Sequence, residues 1–205
     1  MNKSEKFFDR TSSMSKPEPT RSASKVIELT KEYLDTEKCV LDFGCGSGSI
    51  TNKFSKHVKK IEAIDFSKGM INVAKKQAND ASIININYAQ TSIFDESLAE
   101  NTFDVIMSFN VLHYIEDMPN LLNRINSLLK PGGVFISSTA CLKEKKNGIR
   151  LLMWLLSKMK IIPKTLFYKK LDLEKLIING RFEIIKSEII SGLPEYFIVG
   201  EKQVN

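Results

Sequence analysis

Gly44, Gly46 and Gly48, at alternate positions in "VLDFGCGSGSIT", directly follow a short apolar run, so a strand there opens into a loop with bare main chain. Backbone without Cβ atoms lets a ligand lie against it, and a strand-to-helix turn suits a nucleotide-like guest. The spacing is G-x-G-x-G, whereas a dinucleotide fingerprint requires its third glycine where Ser49 stands. Asp65 follows Gly44 at about the 20-residue spacing of a carboxylate that accepts from both ribose hydroxyls. No Arg or Lys replaces that carboxylate to favour a 2′-phosphate, and no Gly-Lys-Ser/Thr follows the loop to hold a triphosphate. These residues imply retention of an adenosine-like molecule carrying little phosphate.

Alternating β and α segments must position that loop. "CVLDF" predicts a first strand, "SITNKFSKHV" a helix after the glycines, "KIEAIDF" a second strand, and "SKGMINVAKKQAND" a helix with Met70, Val73, Ala74 and Ala78 on one face. "IININY" and "FDVIMSFN" predict strands three and four; "MPNLLNRINSLL" predicts a helix stopped by "KPGG", and "VFISSTA" a fifth strand. A helix from Ser22 to about Leu34 precedes them, and residues 1–20, with Pro17 and Pro19, read as an irregular arm whose Phe7 and Phe8 would pack on something. Beyond strand five, residues 147–167 are apolar nearly all round, and "LDLEKLIIN" predicts a short helix. Two β-rich runs, "RFEIIKSEII" and "EYFIVGEKQ", are joined by "SGLP", a link too short for anything but antiparallel pairing. The expected fold is α/β, a doubly wound, mostly parallel sheet in a single domain, 1–205.

A hydrophobic content of 42% with 26% charged residues fits a soluble globular chain. The longest apolar run, Leu151–Leu156, is far below the ~20 residues that span a bilayer, and the polar start has no signal-peptide core, so a cytoplasmic protein is expected. Cys39, Cys45 and Cys141 form no C-x-x-C pair, and with only His57 and His113 beside them a protein-bound metal is not expected. The net charge of +6 is concentrated: residues 143–170 hold nine basic side chains against Glu144 alone, which leaves the rest slightly acidic.

"VLDFGCGSG", followed in order by "IEAIDFSKGMI", "FDVIMSFNVLHYIED" and "LLKPGGVFIS", resembles the class I S-adenosylmethionine-dependent methyltransferases, in particular their small-molecule, type 11-like members, over most of the chain. The resemblance implies a seven-stranded sheet with an antiparallel last strand, S-adenosyl-L-methionine as cofactor and S-adenosyl-L-homocysteine as product. Carried over by position, it implies that Gly44 and Gly46 receive the methionine part, that Asp42 orients the loop and the cofactor's amino end, and that Asp65 takes the ribose. Phe66 and Met70 would line the adenine, Ser92 and Ile93 would face its edge, and the Asn110 carbonyl would accept from the methionine ammonium. Ser92 departs from the Asp often found there, and its hydroxyl is a weaker acceptor for the adenine amino group. Cys45 lies within the cofactor loop, where it also reads as a small filler, and Met70 reads equally as core.

Methyl transfer is an in-line displacement, so the protein mainly positions a nucleophile; His113, just beyond Asn110, is the candidate general base and otherwise packs the turn after strand four. In this family substrate choice usually resides in the amino-terminal arm and in the insert between strands five and six, here 141–170. The insert reads as a lid over a small or amphipathic acceptor, a patch for an anionic membrane surface, or a core helix. Nucleic acid is less favoured, because its basic residues alternate with aliphatics. An RNA or protein methyltransferase, or a cofactor-binding module without turnover, are the alternatives.

Overall fold

A computed structural model describes residues 3–14, 18–144, 148–159, 161–190 and 194–204. The "SGLP" link, apart from its proline, and three of the insert's cations, Lys145, Lys146 and Lys160, lie outside the described residues. In chain order the elements are α1 (Lys3–Thr11), α2 (Arg21–Lys31), β1 (Cys39–Phe43), β2 (Lys60–Asp65), α3 (Lys68–Asp80), β3 (Ile86–Gln90), β4 (Phe103–Phe109) and α4 (Met118–Leu128). They continue through β5 (Leu129–Ala140), α5 (Gly148–Lys158), α6 (Lys170–Asn179), β6 (Phe182–Ile189) and β7 (Glu195–Lys202).

One seven-stranded sheet has the order β3-β2-β1-β4-β5-β7-β6. β1 to β5 pair in parallel, while β7 runs against both β5 and β6, so the expected antiparallel last strand is present. The period-2 alternation of strands divides the core between two faces. Val40, Ile61, Ala63, Val105 and Met107 pack with Val26 and Leu29 of α2 and Ile71 and Ala74 of α3. Leu41, Ile64 and Ile106 point the other way, onto Leu121, Leu122 and Ile125 of α4 and Leu173 and Ile177 of α6. Burying both faces requires strands that are apolar at consecutive positions, which is what "VL" and "VIM" supply.

Four segments differ from their sequence reading. Residues 51–57, expected as an α-helix, form a 3-10 helix. Two of their short polar side chains bond elsewhere: Thr51 Oγ1 donates to Asp42 at 2.6 Å, and Tyr88 donates to Asn52 Oδ1 at 2.8 Å. The amino-terminal arm, expected to be irregular, contains α1. β3 starts at Ile86 because the preceding residues finish α3: Ser82 takes φ 54° and Ile83 N donates to Ala78 O at 2.9 Å. The helix of the insert covers 148–158 only, and Pro163 lies in the extended stretch beyond.

The loop after β3 is held by α4, on the same face of the sheet. Arg124 on α4 donates from Nε to Ile93 O at 3.0 Å and from Nη2 to Asp95 O and Leu98 O, both at 2.9 Å. A planar fork serving three carbonyls cannot be replaced by an ammonium. Arg124→Ala is expected to cost about 2 to 4 kcal/mol in denaturant unfolding and to speed amide exchange across residues 92–98, and Arg124→Lys to recover little of either.

Candidate active site

Strand order reverses at β1, whose neighbours are β2 and β4, and open α/β sheets leave a crevice at such a point beyond the carboxyl ends of the strands. A cavity of about 720 Å³ opens there. Gly44 and Gly46 line it beside Asp65, Phe66 and Met70, which come from the end of β2 and the start of α3. Ser92 and Ile93 enter from the loop after β3, and Asn110 and His113 from the turn after β4.

Every sequence-predicted residue except Asp42 and Cys45 therefore lines one cavity. Asp42 is only 2% exposed and lies beneath the loop, accepting from Thr51. Burial raises its pKa to about 7, against the Thr51 bond and helped by the neighbouring Asp65 charge. Cys45 packs against the core on the α2/α3 face, and burial, with Asp42 and Asp65 nearby, raises its thiol well above the ordinary value. A thiol so disposed stays protonated and is no nucleophile.

The three glycines have different reasons. A Cβ on Gly44 would come within 2.4 Å of Val111 Cγ2, and one on Gly48 within 2.5 Å of the Tyr88 hydroxyl; both are demanded by protein packing. Gly46 has φ 55°, and its Cβ would meet nothing within 4 Å. Space beside a left-handed residue on a cavity wall is room for a guest rather than for the fold. The amides of Gly44 and Cys45 already donate to Ile64 O, at 2.8 and 3.1 Å, so this loop offers a surface more than an anion nest.

Asp65 is 8% exposed and fastens the loop: Gly46 N donates to Oδ2 at 3.0 Å and Ser67 N to Oδ1 at 2.8 Å. Each oxygen keeps a lone pair for a further donor. Its pKa is raised, burial outweighing the bonds from Ser67 and Gly46. Asn110 sits at φ 59°, with its N–H on Ser138 O at 2.8 Å and its side chain 3.4 Å from Glu195 Oε1, which Ser138 Oγ also reaches. His113 packs tilted against Tyr114 with ring centroids 4.1 Å apart and planes at 53°, and its Nδ1 is buried without a partner among the described residues. Burial lowers its pKa to about 4.

Several contributors escaped the sequence reading. α1 closes one side of the cavity with Ser4 and Phe8, whose ring meets Phe66 and Tyr114 edge-on at 5.7 and 5.6 Å. Asp9 holds α1 in place by accepting from Ser67 Oγ at 2.6 Å and Gly69 N at 2.9 Å, and these bonds, Ser67 foremost, lower its pKa. Gly69 is where α1 needs close approach, since a Cβ there would lie 2.8 Å from Ser12 Oγ and 3.1 Å from the Asp9 backbone. The aromatic pair in "KFFDR" was the one sequence signal; a carboxylate 58 residues from its partner gives none.

The chain belongs to the methyltransferase-domain family, which matches residues 34–182, within the class I S-adenosylmethionine-dependent methyltransferases. It is 33% identical over 102 residues to a ubiquinone biosynthesis O-methyltransferase of Coxiella burnetii, covering 50% of this chain and 43% of that protein. It is 29% identical over 112 residues to an uncharacterized methyltransferase of Mycobacterium tuberculosis, covering 55% of each. The chain thus spans about half the length of the curated relatives it matches. Among solved structures, the YcgJ protein of Bacillus subtilis superposes with a TM-score of 0.74 at 14% identity, covering 89% of this chain and all of that one. Geranyl diphosphate C-methyltransferase from Streptomyces coelicolor superposes with a TM-score of 0.72 at 12% identity, covering 88% and 79%. At these identities the superpositions speak for the fold.

S-adenosylmethionine is the cofactor of this class, and the residues present fit it: open space at Gly46, a carboxylate with spare lone pairs at Asp65, and apolar surface from Phe66, Met70 and Ile93. The two glycines should therefore separate. Gly46→Ala is expected to cost about 1 kcal/mol of stability and to lose most affinity for S-adenosylhomocysteine, whereas Gly48→Ala, pressing on Tyr88, should lower the melting temperature more than it lowers affinity. Thermal melting and calorimetric titration of both variants check this.

Proposed function

We propose that this chain binds S-adenosylmethionine in the cavity beyond β1, β2 and β4 and transfers its methyl group to a small, amphipathic acceptor. The observation that carries the reading is Asp65, a buried carboxylate that fastens Gly46 and still faces the cavity, next to the one loop glycine that packing leaves open. When bound, the cofactor supplies a methyl group activated by a sulfonium. The chain's part is to hold Asp65 for the ribose, Phe66 and Met70 against the adenine, Ser92 and Ile93 at its edge and Asn110 near the methionine ammonium, and to keep water out with Phe8 and Tyr114. The acceptor's lone pair would face that methyl group, and the electron pair of the departing bond would stay with the cofactor. The acceptor's proton goes to His113, which is neutral at working pH.

A small-molecule acceptor is supported by the concave, mostly apolar site, and the relative named for ubiquinone biosynthesis agrees with it. An apolar portion is supported by α5, whose Leu151, Leu152 and Trp154 are 59%, 55% and 46% exposed. Exposure on that scale does not fit the core-helix reading of the insert. It also supports a second reading, peripheral contact with an anionic membrane, although no helix among the described residues is long and apolar enough to cross one.

Incubation with methyl-labelled cofactor and fractionated cell extract is expected to label a small organic-soluble product; label in RNA or protein, or none, would refute the acceptor class. Asp65→Ala should weaken S-adenosylmethionine and S-adenosylhomocysteine alike, by tenfold or more, each lost charge-assisted bond being worth roughly 1.5 to 3 kcal/mol. Unchanged affinity in a folded variant would move the ribose elsewhere.

His113 makes a pH prediction. Unfolded, it takes a proton near its ordinary value of 6.5; folded, it resists until about 4. Its contribution to stability is therefore complete above 6.5 and is lost as pH falls through 4, by about 3 kcal/mol. Asp42, with a raised value of about 7, acts in the opposite sense, its contribution being lost as pH rises through 7. The difference between parent and His113→Gln isolates the histidine: in urea unfolding the parent should lose more stability than the variant between pH 6.5 and 4. Turnover should keep its acid limb near pH 4 rather than 6.5.

A further inference from the structure

A second cavity, of about 650 Å³, adjoins the first across α1. Phe8 lines the first and Phe7 the second, their rings 88° apart, while Ser4 and Tyr114 line both. α1 is thus a partition between the two spaces, with Ser4 and Tyr114 on the walls of both. The second space is basic: Lys6 and Arg10, one helical turn apart on α1, and Lys164 from the stretch after α5 line it against a single acid, Glu116. Lys164 pairs with Glu116 at 2.9 Å. Lys6 and Arg10 are exposed, and neither makes an ion pair with a described residue. Its apolar wall includes Phe7, Ile161, Ile162 and Pro163.

Both walls are tied to the first cavity. Asp9, between Lys6 and Arg10, bonds to Ser67 and Gly69 at the start of α3. On the other side Leu166 N donates to His113 O at 2.7 Å, which fixes the stretch after α5 to the turn carrying the candidate base. Two cations without an ion-pair partner among the described residues, set beside an apolar wall, select an anion with a hydrophobic body, and raise its local concentration.

We propose that this second cavity is the acceptor site and that it takes a small molecule with an anionic group, carboxylate or phosphate, held by Lys6 and Arg10. Its apolar body lies on Phe7, Ile161 and Ile162, and its reacting atom reaches the first cavity between Ser4 and Tyr114. The assignment rests on the methyltransferase reading, which fills the first cavity with cofactor.

Octyl phosphate, kept below its micellar concentration, is the probe, titrated calorimetrically into the full chain saturated with S-adenosylhomocysteine. The expected result is binding at least tenfold tighter than that of octanol or of inorganic phosphate. The double change Lys6→Gln, Arg10→Gln should weaken it tenfold or more and leave S-adenosylhomocysteine affinity within twofold. The same charge change on the exposed face of α3, Lys75→Gln with Lys76→Gln, should leave octyl phosphate within twofold. The proposal is overturned if octanol binds as well, if the α1 variant binds unchanged, if the α3 variant loses as much, or if the parent takes S-adenosylhomocysteine but no octyl phosphate. It is overturned in favour of a membrane surface if co-sedimentation with phosphatidylglycerol vesicles depends on Lys6 and Arg10 while monomeric octyl phosphate does not. Failure of the parent to bind S-adenosylhomocysteine would instead strike the methyltransferase reading itself.

Discussion

One buried carboxylate holds the working end of this molecule together. Asp65 takes the amide of Gly46 on one oxygen and that of Ser67 on the other, so the glycine loop after β1 and the turn into α3 share a single anchor. Ser67 then passes the constraint outward, donating its hydroxyl to Asp9 and accepting from Met70 N at 3.1 Å, which caps α3 and seats α1 in the same few atoms. An ionised carboxylate in so buried a place is costly unless donors surround it. The raised pKa of Asp65 shows that the donors present offset the cost only in part. A guest bringing two more hydroxyls would complete the set of donors.

The opposite side of the cavity is held by different means. There the turn after β4 departs from regular backbone at Asn110, whose left-handed conformation an Asn tolerates better than most residues, and Glu195 of β7 reaches the same point. The loop after β3 seats Ile93 in the core and has its main chain tied by Arg124. Rigid strands thus supply position and a small number of polar ties supply orientation.

How much of this was legible in the sequence depends on how local the cause is. The β-α rhythm, the doubly buried strands and the glycine loop declare themselves within ten-residue windows, and the positions taken from the family resemblance gather around one cavity. Asp42, on β1, and Cys45, in the loop after it, both face inward; their three-residue separation is not the period of a strand, so only the fold shows where each side chain goes. The 3-10 course of residues 51–57 follows from partners on β1 and β3. α1 is held by a contact 58 positions away, and Arg124 by contacts 26 to 31 away; neither leaves a periodic trace.

The place of β7 in the sheet also orders the molecule in time. β6 pairs with β7 and, among the described residues, with no other strand, while β5 has β7 as its outer neighbour. During synthesis β5 and β6 both emerge before the strand that joins them. Until residues 195–202 follow, β5 presents an open edge and Phe182 of β6 lacks Gly200, the backbone it packs against. The nascent chain therefore carries an unpaired, apolar strand edge until residues 195–202 emerge, and closing that edge joins segments that are distant in sequence, unlike the local turn that forms the cofactor loop.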